Sequence, residues 1–169
     1  METASQKSLA AFERIVAERQ DWLFRFAYMR IGNREDAEDV VQDVFLRFFQ
    51  KGGVLDGVES IERYLTRSIS NACADYFRSR PQKAMLEIEN ATNIPEDDSD
   101  RCIHEEYVRI GRMLAGLPHE QAETVRLHCI DGLKFHEIAE LQELSESTVK
   151  SRYKYAVIHI REQIKKQGG

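Results

Sequence analysis

Phe135-His-Glu-Ile-Ala-Glu-Leu-Gln-Glu-Leu-Ser-Glu-Ser-Thr-Val-Lys-Ser-Arg152 decides the fold of the C-terminal third of the chain. Ile138 and Ala139 are spaced to face inward from a short helix over 135–141. Ser145 is an N-cap residue, and Val149, Tyr153, Ala156, Val157, Ile160 and Ile164 then recur as the inner stripe of a last helix. Upstream, Leu117-Pro118 opens another helix, with proline at its tolerated first position. Its apolar content is Ala122, Val125, Leu127, Cys129 and Ile130, and Asp131-Gly132 closes it. Two short helices joined by a tight turn have the geometry of a helix-turn-helix. Glu143 occupies the turn position that favours glycine; a left-handed glutamate there costs about 1 kcal/mol.

The outer face at the start of the last helix carries Ser147, Thr148, Lys150, Ser151, Arg152 and Lys154. Short hydroxyls can bond phosphates or base edges, and lysine and arginine can pair with phosphates or guanine. The N-terminal part of a recognition helix is the part that reaches the major groove. A three-helix bundle with a basic exposed end is the competing reading, and the order of small, apolar and basic residues favours DNA over it.

A net charge of −5 argues against a nucleic-acid partner only on average. Residues 84–106 hold eight acids against one base, Arg101, which exceeds the whole negative excess. The flanking blocks 51–83 and 107–169 are mildly positive, and local charge governs DNA contact. From Arg80 to Asp100 helical periodicity fades among Pro81, Asn90, Asn93, Pro95 and Ser99, although 85–88 suits a short turn. The expected fold is all-α: two small helical domains, 1–80 and 104–169, joined by an acidic linker over 81–103.

In the first domain, one long helix is expected over 9–31, stopped by Gly32-Asn33, both tolerant of left-handed geometry. Ala37, Val40, Val41, Val44, Phe45, Phe48 and Phe49 mark the next helix, with Glu35, Asp36, Glu38, Asp39, Gln42 and Asp43 on its other face. Gly52-Gly53 ends it, a loop runs to about residue 60, and Ser60 is placed to N-cap a third helix. Leu65, Ile69, Ala72, Cys73 and Tyr76 form the inner face of that helix. Arg63, Arg67, Asn71 and Arg78 lie on another stripe, with Arg80 just beyond. Tyr64, Tyr76 and Phe77 are interleaved with these bases, which suits a phosphate backbone with unstacked bases. It suits equally a solvated basic face over an aromatic core, and composition does not choose.

No apolar run approaches the ~20 residues of a membrane span, and the polar start lacks the order of a signal peptide, so a cytoplasmic location is expected. Cys73, Cys102 and Cys129 are odd in number, lack metal spacing and read as free thiols. His104, His119, His128, His136 and His159 are scattered, without a catalytic or metal-binding arrangement. Neither an enzyme nor a cofactor or metal site is expected.

Asp36-Ala-Glu-Asp-Val-Val-Gln-Asp-Val-Phe45 resembles the core-polymerase-binding motif of bacterial sigma factors. The segment 64–78, with Tyr64, Asn71, Asp75 and Arg78, resembles the promoter-melting part of their region 2. Phe135–Ala139 with Ser145–Arg152 resembles the helix-turn-helix of region 4. The order, length and acidic linker are similar to the extracytoplasmic-function (ECF) group. That resemblance implies that Asp36, Asp39, Gln42, Asp43 and Phe45 dock on the clamp helices of core RNA polymerase, with a further contact at its flap. It implies that Arg63, Arg67, Asn71, Arg78 and Arg80, with the loop 51–60, hold the −10 element, where a base is flipped out and Asn71 is placed to read it. The last helix, through Ser147, Thr148, Lys150, Ser151, Arg152 and Lys154, would bind the −35 element, and an anti-sigma factor would hold the protein inactive. Glu143 and Gln142 depart from the family's usual turn glycine and apolar neighbour. A stand-alone helix-turn-helix regulator, the alternative, leaves the Asp36–Phe45 face without a task.

Overall fold

The computed structural model describes residues 3–51, 58–79 and 97–169, with side chains from residue 61 in the middle stretch. Most of the loop expected over 51–60, Arg80, the turn expected over 85–88 and the linker up to residue 96 lie outside the described residues. Every regular element among the described residues is helical, and the chain divides into two units, Met1–Ile94 and Pro95–Gly169.

The first unit is a three-helix bundle of α1 (Ala4–Ile31), α2 (Arg34–Gln50) and α3 (Val58–Ser79). α1 starts earlier than apolar spacing implies because Thr3 caps it. The Thr3 hydroxyl accepts from the Gln6 N–H, and the Gln6 side chain accepts from the Thr3 N–H at 2.8 Å. Gly32 ends α1 at φ 76°, its N–H donating to the Tyr28 carbonyl at 2.8 Å. Asn33 does not share that left-handed geometry. It is extended, at φ −130°, and its side-chain oxygen caps α2 by accepting from the Asp36 N–H at 3.0 Å. One glycine therefore stops a helix, and the next residue starts another. Ser60 lies inside the first turn of α3 rather than at its N-cap.

Phe26, Leu23 and Ile31 of α1, Ala37 and Val44 of α2, and Ile61, Leu65 and Ile69 of α3 are almost fully buried. Phe12 stacks on Phe48 at 4.8 Å and meets the edges of Phe45 and Phe49 at 5.6 and 4.4 Å. Burying an aromatic or large aliphatic side chain contributes roughly 1.5–3 kcal/mol, so this face holds the bundle together. Phe49, expected inside, covers Phe12 but keeps 45% of its surface exposed, because it sits on the margin of the α2 apolar stripe.

The second unit contains α4 (Asp98–Leu114), α5 (His119–Val125), α6 (Phe135–Gln142) and α7 (Glu146–Gln167). α4 begins inside the stretch expected to be linker. Asp97 caps it by accepting from the Ser99 N–H, and Asp98 and Asp100 suit the positive end of the helix dipole. Acids that read as a solvated run thus start a helix, which buries Tyr107, Ile110 and Leu114. Pro118 sits one position earlier than expected, as the α5 N-cap. α5 continues into a single π-helical turn, Arg126–Ile130, closed by the Asp131 N–H donating to the Arg126 carbonyl. This widened turn points Leu127 fully inward and leaves Cys129, counted as apolar content, exposed. Gly132, at φ 75°, then reverses the chain.

Glu143 is left-handed, at φ 56° and ψ 44°, and is the only non-glycine residue with positive φ among the described residues. The Leu144 N–H donates to the Ala139 carbonyl at 2.9 Å, closing the end of α6 as a glycine would. Ser145 caps α7, accepting from the Thr148 N–H, and Val149 and Ala156 are fully buried. Ile164, expected on the inner stripe, is 61% exposed, since the neighbouring helices do not cover the last turns of α7.

Removing the left-handed strain is expected to stabilise this unit. Glu143→Gly should raise its unfolding free energy by about 0.5–1 kcal/mol, read as a higher midpoint in thermal or urea unfolding. A lower midpoint would show that the glutamate side chain holds the turn more than its backbone strains it.

Candidate nucleic-acid interface

The α7 face opposite Val149 and Ala156 is built by helical repetition. Ser147, Lys150, Ser151 and Lys154 are exposed on it, and the 56% exposed Tyr155 lies one turn beyond Ser151. Lys150 reaches Glu146 at 3.1 Å, but both side chains are about half exposed, so water competes with the pair. Two of the expected contact residues turn elsewhere. The Thr148 hydroxyl joins the cap, 2.8 Å from the Ser145 hydroxyl. Arg152 leans toward α5, its guanidinium 3.4 Å from Glu120, and its side chain is only 25% exposed. The Ser147 hydroxyl is 3.2 Å from that of Ser145 while remaining on the exposed face. Tyr155 is on this face by its register, four residues after Ser151, although a tyrosine in a helix ordinarily reads as core.

The base of α7 is set by a ring cluster. The His128 imidazole stacks on Phe135 at 4.3 Å, and Tyr153 meets both rings edge-on or tilted. His128 Nδ1 is 2.9 Å from the Leu133 carbonyl oxygen, which requires the Nδ1–H form to donate. His159 Nδ1 and the Gln121 side-chain oxygen are 2.9 Å apart, linking α7 to α5. His128 and His159 are both half-buried and hold these contacts between elements. The Cys129 thiol, 3.8 Å from the Tyr153 hydroxyl, and partial burial push the Tyr153 phenol above its ordinary value of 10.0, so it is neutral at physiological pH.

On α3, Arg63, Arg67, Asn71 and Arg78 are exposed along one stripe, as their spacing predicts. Arg78 pairs with Asp75 at 3.2 Å, with both side chains more than two-thirds exposed. The aromatics interleaved with these bases pack against the bundle, Tyr76 on the inner face where its spacing puts it. Tyr76 is buried and donates its hydroxyl proton to Asp36 Oδ2 at 2.6 Å, and Tyr64 leans on Phe48 at 5.7 Å. Phe77 is half-buried, edge-on to Tyr76.

The acidic side of α2 keeps Asp39, Gln42 and Asp43 exposed, with Glu35 in its first turn. Asp36 is half-buried and bonded inward, and Phe45 packs against Phe12. Leu46, not singled out from sequence, stands 57% exposed on the same side as Asp39 and Asp43. The exposed carboxylates of Asp39 and Asp43 on this side disfavour a phosphate backbone. Among the described residues no group of three or more His, Cys, Asp or Glu side chains could hold a metal ion, and no helix is long and apolar enough to cross a membrane.

These three faces fall in two matched regions of one family. Residues 15–82 match Sigma-70 region 2, and residues 107–160 match Sigma-70, region 4. The chain belongs to the sigma-70 family, in its extracytoplasmic-function group. Its relatives include the ECF RNA polymerase sigma factor SigE of Mycolicibacterium smegmatis, 29% identical over 89% of this chain and 60% of that protein. The ferric citrate uptake sigma factor FecI of Escherichia coli is 28% identical over 92% of both chains. The fold matches that of CnrH, solved in complex with the cytosolic domain of CnrY, with a TM-score of 0.70 and 23% identity over 96% of this chain and 92% of that one. The Bartonella quintana sigma factor RpoE, solved with the anti-sigma factor NepR, gives 0.61 and 19% over 91% and 96%.

In this sigma factor α2 and α3 fall within the region 2 match, and α5, α6 and α7 as far as residue 160 within the region 4 match, so each face belongs to one region. Replacing Lys150 and Lys154 together by alanine should weaken holoenzyme binding to promoter duplex about tenfold and lower the slope of log affinity against log salt by about 2. Arg152→Ala, which removes a group already leaning on Glu120, should change the slope by less than 1. An unchanged slope in the lysine double variant would remove the α7 face from DNA.

Proposed function

We propose that this sigma factor docks on core RNA polymerase through the Asp39, Gln42, Asp43 and Leu46 side of α2 and carries the basic stripe of α3 to the −10 element and the hydroxyl–lysine face of α7 to the −35 element. The observation that carries the proposal is the segregation of charge between neighbouring helices. α2 exposes acids around a leucine, which phosphates repel, while α3 exposes Arg63, Arg67, Asn71 and Arg78. One bundle therefore offers a protein-facing side and a nucleic-acid-facing side. The α2 side would meet the clamp helices of the largest polymerase subunit, with the second unit at the flap. On α3, guanidinium groups would hold the phosphates of the opened strand while Asn71 reads the edge of a base taken out of the stack. On α7, Ser147, Ser151 and Tyr155 would reach base edges and thymine methyl groups, and Lys150 and Lys154 the phosphates. Work of this kind takes place in the bacterial cytoplasm. CnrH and RpoE were each solved with a partner protein, and an anti-sigma factor covering these same faces would hold this sigma factor inactive.

Purified core polymerase plus this protein should yield discrete run-off transcripts from a broad library of genomic fragments. Asp43→Lys combined with Leu46→Lys should lower core affinity at least tenfold without lowering the thermal midpoint. No promoter-dependent product from the library would overturn the proposal. So would tight, specific duplex binding by the free protein without polymerase, the behaviour of a stand-alone regulator.

A further inference from the structure

The hydrogen bond from the Tyr76 hydroxyl to Asp36 Oδ2, 2.6 Å long and spanning forty residues of sequence, joins the first turn of α2 to the last turn of α3. Asp36 belongs by sequence to the acidic face expected to touch polymerase, and Tyr76 to the inner face of the third helix. Neither points outward. Tyr76 is 9% exposed, and Asp36 is half-buried with its own N–H held by the Asn33 cap at 3.0 Å. A carboxylate accepting from a phenol makes a short, charge-assisted bond, stronger than a neutral pair. Its location gives it a consequence beyond stability. Two residues beyond Tyr76 stands Arg78, and the exposed stripe of Arg67 and Asn71 runs back along the same helix. At the other end of the bond, Asp39 and Asp43 follow Asp36 at one-turn intervals along α2.

We infer that Asp36 and Tyr76 form a positioning pair: the bond holds the DNA-facing end of α3 at a set place relative to the polymerase-facing side of α2, and neither residue contacts polymerase or DNA. This inference rests on the assignment of faces proposed above. With α2 fixed on the polymerase, the placement of the α3 arginines relative to the duplex is set by how α3 is held against α2. A small misplacement of groups that must meet an unstacking strand is costly in rate. Loss of the bond therefore slows promoter opening and leaves docking intact.

The test uses holoenzyme and one promoter recovered from the run-off experiment. Tyr76→Phe keeps the ring and removes the donor; Asp36→Asn keeps an acceptor. Core affinity is expected to stay within about twofold for both variants, whereas Asp43→Ala loses more. Opening of the duplex promoter should slow about tenfold for Tyr76→Phe and by less for Asp36→Asn. On the same promoter built with mismatches across the −10 element, the defect should shrink to about twofold, since the strand no longer has to be caught in competition with re-pairing. A general loss of folded protein would reduce all three readouts together and would not be relieved by mismatches. A drop in core affinity for Tyr76→Phe or Asp36→Asn equal to that of Asp43→Ala, opening at the wild-type rate, or a defect that persists on the mismatched template would each overturn the inference. Failure of the wild-type protein to support transcription from any fragment would instead reject the underlying functional reading.

Discussion

The turn between α1 and α2 is the constraint on which the first unit depends. Gly32 takes the left-handed conformation that ends α1, and Asn33 immediately returns to an extended one and caps α2. With no further residue between the helices, the phase of α2 about its own axis is fixed by this turn. Ala37, Val41, Val44 and Phe48 must then face α1 and α3, and Asp39, Gln42 and Asp43 must face water. A longer, looser connection would let the acidic side rotate, and the separation of acidic and basic faces would go with it. The second unit uses the same device with a less suitable residue. Glu143 adopts the left-handed turn, and Ser145 two residues later caps α7.

These turns have an electrostatic consequence. The chain carries a net charge of −5, and its exposed charges are segregated by helix face. Part of the acid sits on one side of α2, and part at the start of α4, where Asp97, Asp98 and Asp100 complement the helix dipole. The bases stand on α3 and α7, supported from beneath by apolar residues or rings, so that their positions are set by packing. Polar side chains at the edges brace these helices: Tyr76 to Asp36, Arg152 to Glu120, His159 to Gln121. Several residues that look like surface readers in the sequence are such braces.

The helical class, the helix order and the exposed stripes of α3 and α7 were legible because apolar residues recur at 3.6-residue spacing and leave the bases on the far side. The sequence marks Glu143 as standing where the turn favours glycine, but does not choose between a lengthened turn and the left-handed one observed. Other features were not legible. Thr148, Arg152 and Asp36 turn to capping or packing partners, and periodicity carries no information about such pairs; it placed Tyr76 on the inner face but not its bond to Asp36. The π turn at Arg126–Ile130 left no compositional mark, so Cys129 was misplaced. The early start of α4 was hidden because aspartates that cap and charge a helix read, in isolation, as linker. Leu46 and Tyr155 were passed over because apolar residues in helices are assumed to be covered.

The central claim is that one chain grips a promoter at two points while polymerase fixes their separation. Mapping transcript 5′ ends across the genome after overproducing the protein in its host tests this most directly. The account predicts new start sites preceded by two sequence elements, near −10 and −35, at nearly constant spacing. Altered transcript levels without new start sites, or a single element at variable distance from the start, would contradict it.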